Sequence, residues 1–168
     1  MANEVTLRLA TTDDAASIMA IYNHEVTTST STFDLVPRTF VTQRDWLAAR
    51  SGAFAVVVAV DQPDGSVIGF GSISPYKERA AYRTTVEDSV YVHADHHRRG
   101  IGTVLLGRLV ETARDGGFHA VMARIEASRQ GSRLLHERCG FELVGIERQV
   151  GRKFKRWLDV AVMQRLLG

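Results

Sequence analysis

Residues 85–102 read TVEDSVYVHADHHRRGIG, and the chain continues as TVLLGRLVETAR through residue 114. An apolar, β-branched run is followed by a basic, glycine-containing turn. Val104, Leu105, Leu109, Val110 and Ala113 then recur at helical spacing. The stretch is therefore a strand, a turn and an amphipathic helix, which Gly116 and Gly117 end. Val90–Tyr91–Val92 breaks strict alternation, which predicts burial on both faces or a bulge. Gly100 and Gly102 let the backbone approach a ligand closely and adopt dihedrals closed to other residues. The first N–H groups of a helix lack partners within it and receive phosphate oxygens, and Arg98 and Arg99 add charge there. A dinucleotide pattern G-x-G-x-x-G needs a glycine where Leu105 stands, and G-x-x-x-x-G-K-S/T occurs nowhere. The turn points to a pyrophosphate from a ligand other than NAD or ATP.

Working outward, VTLRLA (5–10) alternates like a strand, and Thr11 or Thr12 caps a helix carrying Asp13 and Asp14 in its first turn. The polar stretch TTSTSTFDLVPRT leads to a short helix expected near Arg44–Arg50. AFAVVVAV (53–60) and VIGFGSIS (67–74) flank DQPDG and read as an antiparallel hairpin. HAVMARIEA (119–127) is a strand and SRLLHERC (132–139) a short helix stopped by Gly140. Two further strands complete the chain. The order is strand, helices, three strands, helix, strand, helix, two strands. That is a single α/β domain over residues 1–168, with a mixed, mostly antiparallel central sheet flanked by helices.

With 168 residues the chain buries a core without staples, and no apolar run reaches the roughly 20 residues a membrane helix needs. Met1–Leu9 lacks the basic start and apolar core of a signal peptide. The single cysteine, Cys139, forms no internal disulfide, so the expected home is the cytoplasm, and it reads as packing rather than a nucleophile. A net charge of +2 does not favour nucleic acid. The cluster Arg148, Arg152, Lys153, Lys155 and Arg156 reads as a solvated face.

RRGIG after a strand resembles the acyl-CoA signature Gln/Arg-x-x-Gly-x-Gly/Ala of the GNAT N-acetyltransferases. IYNHEV, YKERAAYRTTVEDSVYV, RIEA…GSRLLHERCGF and QVGRKFKRWLDVAVMQ further resemble, in the same order, the phosphinothricin and methionine sulfone/sulfoximine N-acetyltransferases within that superfamily. The resemblance covers nearly the whole chain. It implies the GNAT fold, acetyl-CoA as acetyl donor, no metal, a small amino-acid-like acceptor and a homodimer. Neither a nucleic acid nor a membrane is an expected partner.

In such a transfer an amine attacks a thioester carbonyl, so the amine must lose a proton. Glu87 is the candidate base, as in the relatives the sequence resembles; Asp88 leaves an ideal strand on the other face. The resemblance makes His136 a second catalytic candidate, assisting the tetrahedral intermediate. It also implies that the strand at Val90, Tyr91 and Val92 is splayed or bulged and gives a backbone N–H to the thioester oxygen. The cofactor's pyrophosphate is expected on His97, Arg98, Arg99, Gly100, Ile101, Gly102 and Thr103. His97 departs from the usual Gln or Arg of the signature, and Arg129 from an asparagine that contacts CoA. Arg129 either reaches a phosphate or swings into solvent. For the acceptor, Tyr76, Lys77, Thr85, Val86 and Glu87 match substrate-contacting positions. Arg79, Tyr82 and Arg83 extend that basic segment, whose cations suit a carboxylate. Phe33 and Asp34 sit in a loop suited to a lid. Trp157 and the final strand are either a dimer interface or core. Two alternatives remain: the same chemistry on another small amine, and a non-catalytic acyl-CoA-binding module.

Overall fold

A computed structural model describes residues 4–50 and 52–168; Met1–Asn3, part of the segment read for a leader, lie outside the described residues. The elements are β1 (Val5–Leu9), α1 (Ala15–Thr28), α2 (Phe40–Ala48), β2 (Val56–Asp61), β3 (Val67–Pro75), β4 (Thr85–Val92), α3 (Ile101–Asp115), β5 (Ala120–Glu126), α4 (Gln130–Arg138), β6 (Glu142–Lys153) and β7 (Arg156–Leu166). They form one seven-stranded sheet in the order β1-β2-β3-β4-β5-β7-β6. Every neighbouring pair is antiparallel except β4–β5, which α3 joins as a parallel crossover. The expected α/β class and order of elements hold.

One helix differs from its expected place. It starts at Phe40 rather than Arg44, because the Thr39 hydroxyl caps it by accepting the Thr42 N–H at 3.1 Å. Phe40 and Val41 are exposed, so the apolar periodicity that marks a helix is absent from its first turn. At the entry to α1, Asp14 does more than meet the dipole of that helix. Its buried carboxylate accepts from Arg8 at 2.8 and 2.9 Å and from the Thr11 N–H, joining β1 to the helix entry.

The sheet separates two cores. Leu105, Leu106 and Leu109 of α3 are fully buried against Val57, Ile73, Val86 and Val121. Each such side chain contributes about 1.5–3 kcal/mol by leaving water. On the other face Ile18, Tyr22 and Val26 of α1 pack on Val56, Val58 and Phe70. The final strand is core at Leu158, Val160, Ala161 and Met163, whereas Trp157 is 59% exposed beneath the Arg152 guanidinium. Lys153 corrects the reading of its cluster as a solvated face. It is buried, with Nζ donating to the Thr32 carbonyl at 2.8 Å.

The interrupted alternation at Val90–Val92 is not a bulge. The β3–β4 register runs unbroken from Pro75↔Val86 to Gly69↔Val92. Pairing of β4 with β5, by contrast, covers only Thr85–Glu87. Beyond Glu87 the two strands diverge, because β5 stays paired with β7 through Glu126. Among the described residues no helix is long and apolar enough to cross a membrane.

Candidate active site

A cleft of about 770 Å³ opens where β4 and β5 part. Its walls are β4 from Glu87, the turn into α3, β5 from Ala123, α4, and the loop after α1. The edge of β4 is exposed to it in a defined way. The His93 N–H donates to the Ile68 carbonyl at 2.8 Å, so by antiparallel alternation Tyr91 and Ser89 also turn their backbone to β3. Asp88, Val90 and Val92 turn theirs to the gap. His97 donates Nε2–H to the Val92 carbonyl at 2.8 Å, which leaves Val90 as the strand's free backbone in mid-cleft. Tyr91 contributes its ring instead, edge-on to Tyr22 and tilted on Phe70, both at 5.3 Å.

At one end of the cleft lies the turn. Arg98 and Gly100 adopt left-handed φ of 62° and 76°, which folds the chain sharply into α3. Gly100 brings no capping side chain, so the first-turn N–H groups of Ile101, Gly102 and Thr103 enter the cleft wall uncapped. Gly102 is glycine for a different reason: a Cβ there would stand 2.5 Å from Leu135 Cδ1, where α3 crosses α4. Uncapped donors, Arg98 and a backbone edge along one wall fit a phosphate-bearing ligand with a long amide arm. Arg99 does not join them. It lies 3.6 Å from Asp61, contacts His96, and is absent from the cleft wall.

Glu87 points to the α1 face of the cleft. Burial pushes its carboxyl above the usual range, outweighing the opposing charge of Arg124 on β5, which also pairs with Glu147. Two other cleft carboxylates go the opposite way. Burial raises Glu25, but hydrogen bonds from Ser29 and Ser31 outweigh it and hold the group low. Burial likewise acts on Glu126, where Ser128, with Oγ at 2.6 Å, and Thr30, at 3.0 Å, outweigh it. Arg129 favours the charge of both carboxylates. Its side chain is half-buried and lines the cleft at the head of α4.

Asp88 leaves β4 on the α3–α4 face. Its Oδ2 lies 2.9 Å from His136 Nε2, and both side chains are buried. The other ring nitrogen, Nδ1, lies 2.8 Å from the Ser132 carbonyl, which can only accept. A carbonyl on one nitrogen and a carboxylate on the other require both to carry protons. Burial opposes that charge, but Asp88 and the two hydrogen bonds outweigh it and raise the His136 pKa. His136 thus spends both nitrogens within the protein, as a clasp between α4 and β4. Asp88 Oδ1 is buried without a partner.

The structure therefore brings Glu87, Val90, Tyr91, Val92, His97, Arg98, Gly100–Thr103, Arg129, His136 and Phe33 to one cleft. Tyr76, Lys77, Arg79, Tyr82, Arg83, Thr85 and Val86 do not line it. Val86 is core, and Lys77 stands over the Tyr76 and Tyr82 rings at 4.9 and 5.3 Å in a cluster of its own. Glu25, Ser31, Thr32, Arg124 and Glu126 also line the cleft and were not singled out from the sequence, and the run TTSTST (27–32) is a local signal for Ser31 and Thr32 alone. Cys139 is buried, its thiol pushed up by burial, 3.8 Å from the Thr103 carbonyl, as expected of packing. Among the described residues no cluster of His, Cys, Asp and Glu is arranged to hold a metal ion.

Residues 18–141 match the acetyltransferase (GNAT) family. An L-amino acid N-acyltransferase of Escherichia coli is 39% identical over 160 residues, covering 95% of this chain and 92% of its own. An L-methionine sulfoximine/L-methionine sulfone acetyltransferase of Pseudomonas paraeruginosa is 37% identical over 159 residues, covering 95% and 92%. The crystal structure of a phosphinothricin acetyltransferase from Sinorhizobium meliloti in complex with acetyl-CoA superposes with a TM-score of 0.93. It is 38% identical, over 98% of this chain and 89% of its own.

Proposed function

This chain belongs to the acetyltransferase (GNAT) family, and from that premise we propose that it acetylates the amino group of a small amino acid or analogue, with acetyl-CoA as donor. Methionine sulfoximine, methionine sulfone and phosphinothricin are the acceptors proposed first, in line with the relatives' activities. The observation that carries the reading is Glu87: a half-buried carboxyl with a raised pKa beside a free strand edge, in one cleft with an uncapped helix N-terminus.

When bound, acetyl-CoA supplies a thioester carbonyl. The Val90 N–H faces the gap and is the donor for the oxyanion that develops there. Arg98 and the N–H groups of Ile101–Thr103 hold the phosphates. Glu87 takes the proton from the attacking amine as its C–N bond forms, and the thioester C–S bond breaks to release CoA as a thiolate, which takes up a proton. Its raised pKa brings its basicity closer to that of an amino group of pKa about 8 than an ordinary carboxylate's would be. Asp88 and His136 position β4 against α4 rather than touch the reacting atoms. For an acceptor's carboxylate, Arg124 is a cation within the cleft, whereas Lys77 and Arg79 stand outside it. We further propose a cytoplasmic homodimer, for which the exposed Val150, Phe154 and Trp157 along the β6–β7 arm supply apolar surface.

The test is thiol release from acetyl-CoA across an amino-acid panel that includes the three named analogues. Acceptor-dependent release with at least one of them is expected. Release with none of the panel defeats the reading.

A further inference from the structure

We infer that Gly151, on the edge strand β6, is a positioning residue that shapes the acceptor side of the cleft by seating the ring of Phe33. The inference rests on the functional reading above, in which the acceptor meets Glu87 and Arg124, because Glu87 faces the α1 side of the cleft, where the loop after α1 carries Phe33. Phe33 enters the cleft wall from the loop after α1, and the residue is 40% exposed. What backs the ring therefore decides where that wall stands. At Gly151 a Cβ would lie 2.2 Å from Phe33 Cε2, 2.8 Å from Cδ2 and 2.9 Å from Cζ. Carbon atoms in contact sit about 3.5–4.0 Å apart, so the ring occupies the space any other residue would need. Gly151 has no left-handed φ, so packing, not torsion, requires the glycine. Gly145, on the same strand, would meet nothing within 4 Å.

Two devices bring Gly151 to that position. Between the pairs Glu147↔Val160 and Gly151↔Leu158, β6 advances four residues while β7 advances two. Gln149 takes φ 53° within this bulge, and its N–H donates to Asp159 Oδ1 at 2.8 Å. A bulge bends and re-aims its strand, here towards the loop that carries Phe33. Two residues on, buried Lys153 donates to the carbonyl of Thr32, the residue before Phe33. Burial pulls the lysine's pKa down, and the carboxylates of Asp34 and Glu25 partly offset that. The loop is thus fixed by the lysine on its backbone and by the glycine under its ring. An edge strand separated from β4 by two others sets one wall of the site.

Gly151→Ala should raise KM for the best acceptor on the panel about 10-fold and leave KM for acetyl-CoA within about twofold. Phe33→Leu in the Gly151→Ala background should recover most of the loss, by giving back the space, and Gly145→Ala should change neither constant. The ring is followed separately with 4-fluorophenylalanine at position 33, whose fluorine resonance should shift in Gly151→Ala and stay in Gly145→Ala. An unchanged acceptor KM, an equal change in both KM values, or no recovery in the double variant overturns the inference, as does an unmoved fluorine resonance. Wild-type protein that acetylates nothing on the panel defeats the functional reading and with it the acceptor assignment. The fluorine result then decides the packing of Phe33 alone.

Discussion

Glu87 and Asp88 are consecutive carboxylates on one strand, and the sheet sends them to opposite environments. Glu87 faces the α1 side, with no hydrogen-bond donor to stabilise its charge, and burial raises its pKa. Asp88 faces the α3–α4 side, where His136 meets it at 2.9 Å in a buried ion pair. A carboxylate left without a partner is a good base, and a partnered one is a strut. Which of the two a residue becomes here depends on strand parity and on what packs against each face, not on residue type.

Several substitutions break or sharpen this contrast. The largest effect is expected from Glu87→Gln, which keeps the shape and removes the base. Turnover should fall about 10²–10⁴-fold, with acetyl-CoA affinity nearly unchanged by calorimetric titration. The same change should not cost stability. A carboxyl whose folded pKa is raised contributes stability below its usual value of 4.5, which is lost as pH rises through the folded pKa. Above that range the half-buried charge is a burden, so Glu87→Gln should melt at or above the wild-type temperature at pH 8. Near-normal turnover would make Glu87 as structural as its neighbour.

Asp88→Asn is the converse, leaving the imidazolium buried without its counter-charge. Removing one partner of such a pair costs about 3–5 kcal/mol, to be read from urea unfolding at neutral pH. Turnover per folded molecule should fall far less than in Glu87→Gln. Wild-type stability from Asp88→Asn would dissolve the contrast.

The pair also has a pH signature. The folded pKa of His136 lies above its usual 6.5, so its contribution is fully present below about 6.5 and is lost as pH rises through the folded value. The stability gap between wild type and His136→Ala should therefore narrow as unfolding is measured from pH 6 to pH 9. A gap that widens over this range would mean that the ring is neutral.

The smallest effect is expected from Lys77→Ala with Arg79→Ala. Both side chains are exposed and stand off the cleft. Exposed charges contribute about 0.2–1 kcal/mol per pair, so acceptor KM should rise by no more than about fivefold. A 100-fold rise would put the carboxylate contact back on this segment.

These sizes follow what was legible at each position. The strand before Arg98, the turn and α3 could be read from β-branched residues, glycines and helical spacing, all signals carried within a few neighbours. The β2–β3 hairpin was legible for the same reason, through Asp-Gly between two apolar runs. The start of α2 was not, because Phe40 and Val41 face outward and hide the period. Glu87 could be singled out from its motif, and parity alone put Asp88 on the other face. What Asp88 meets there is 48 positions away in His136.

By itself the sequence determined the class of fold, the order of its elements and the glycine turn, because each is encoded by local spacing, while the candidate base came from the family resemblance carried by TVEDSVYV. Tertiary structure alone decided where β4 and β5 part, because that depends on β7 holding β5 along its whole length. It also decided that Arg99 turns to Asp61 and that the Lys77 cluster stands off the cleft. Lys153 reaches Thr32 across 121 positions, and Gly151 meets Phe33 across a bulge that no local pattern announces. Burial and charge pairing of this kind come from elements that meet only when the sheet has closed on both its cores, so no window of the chain contains them.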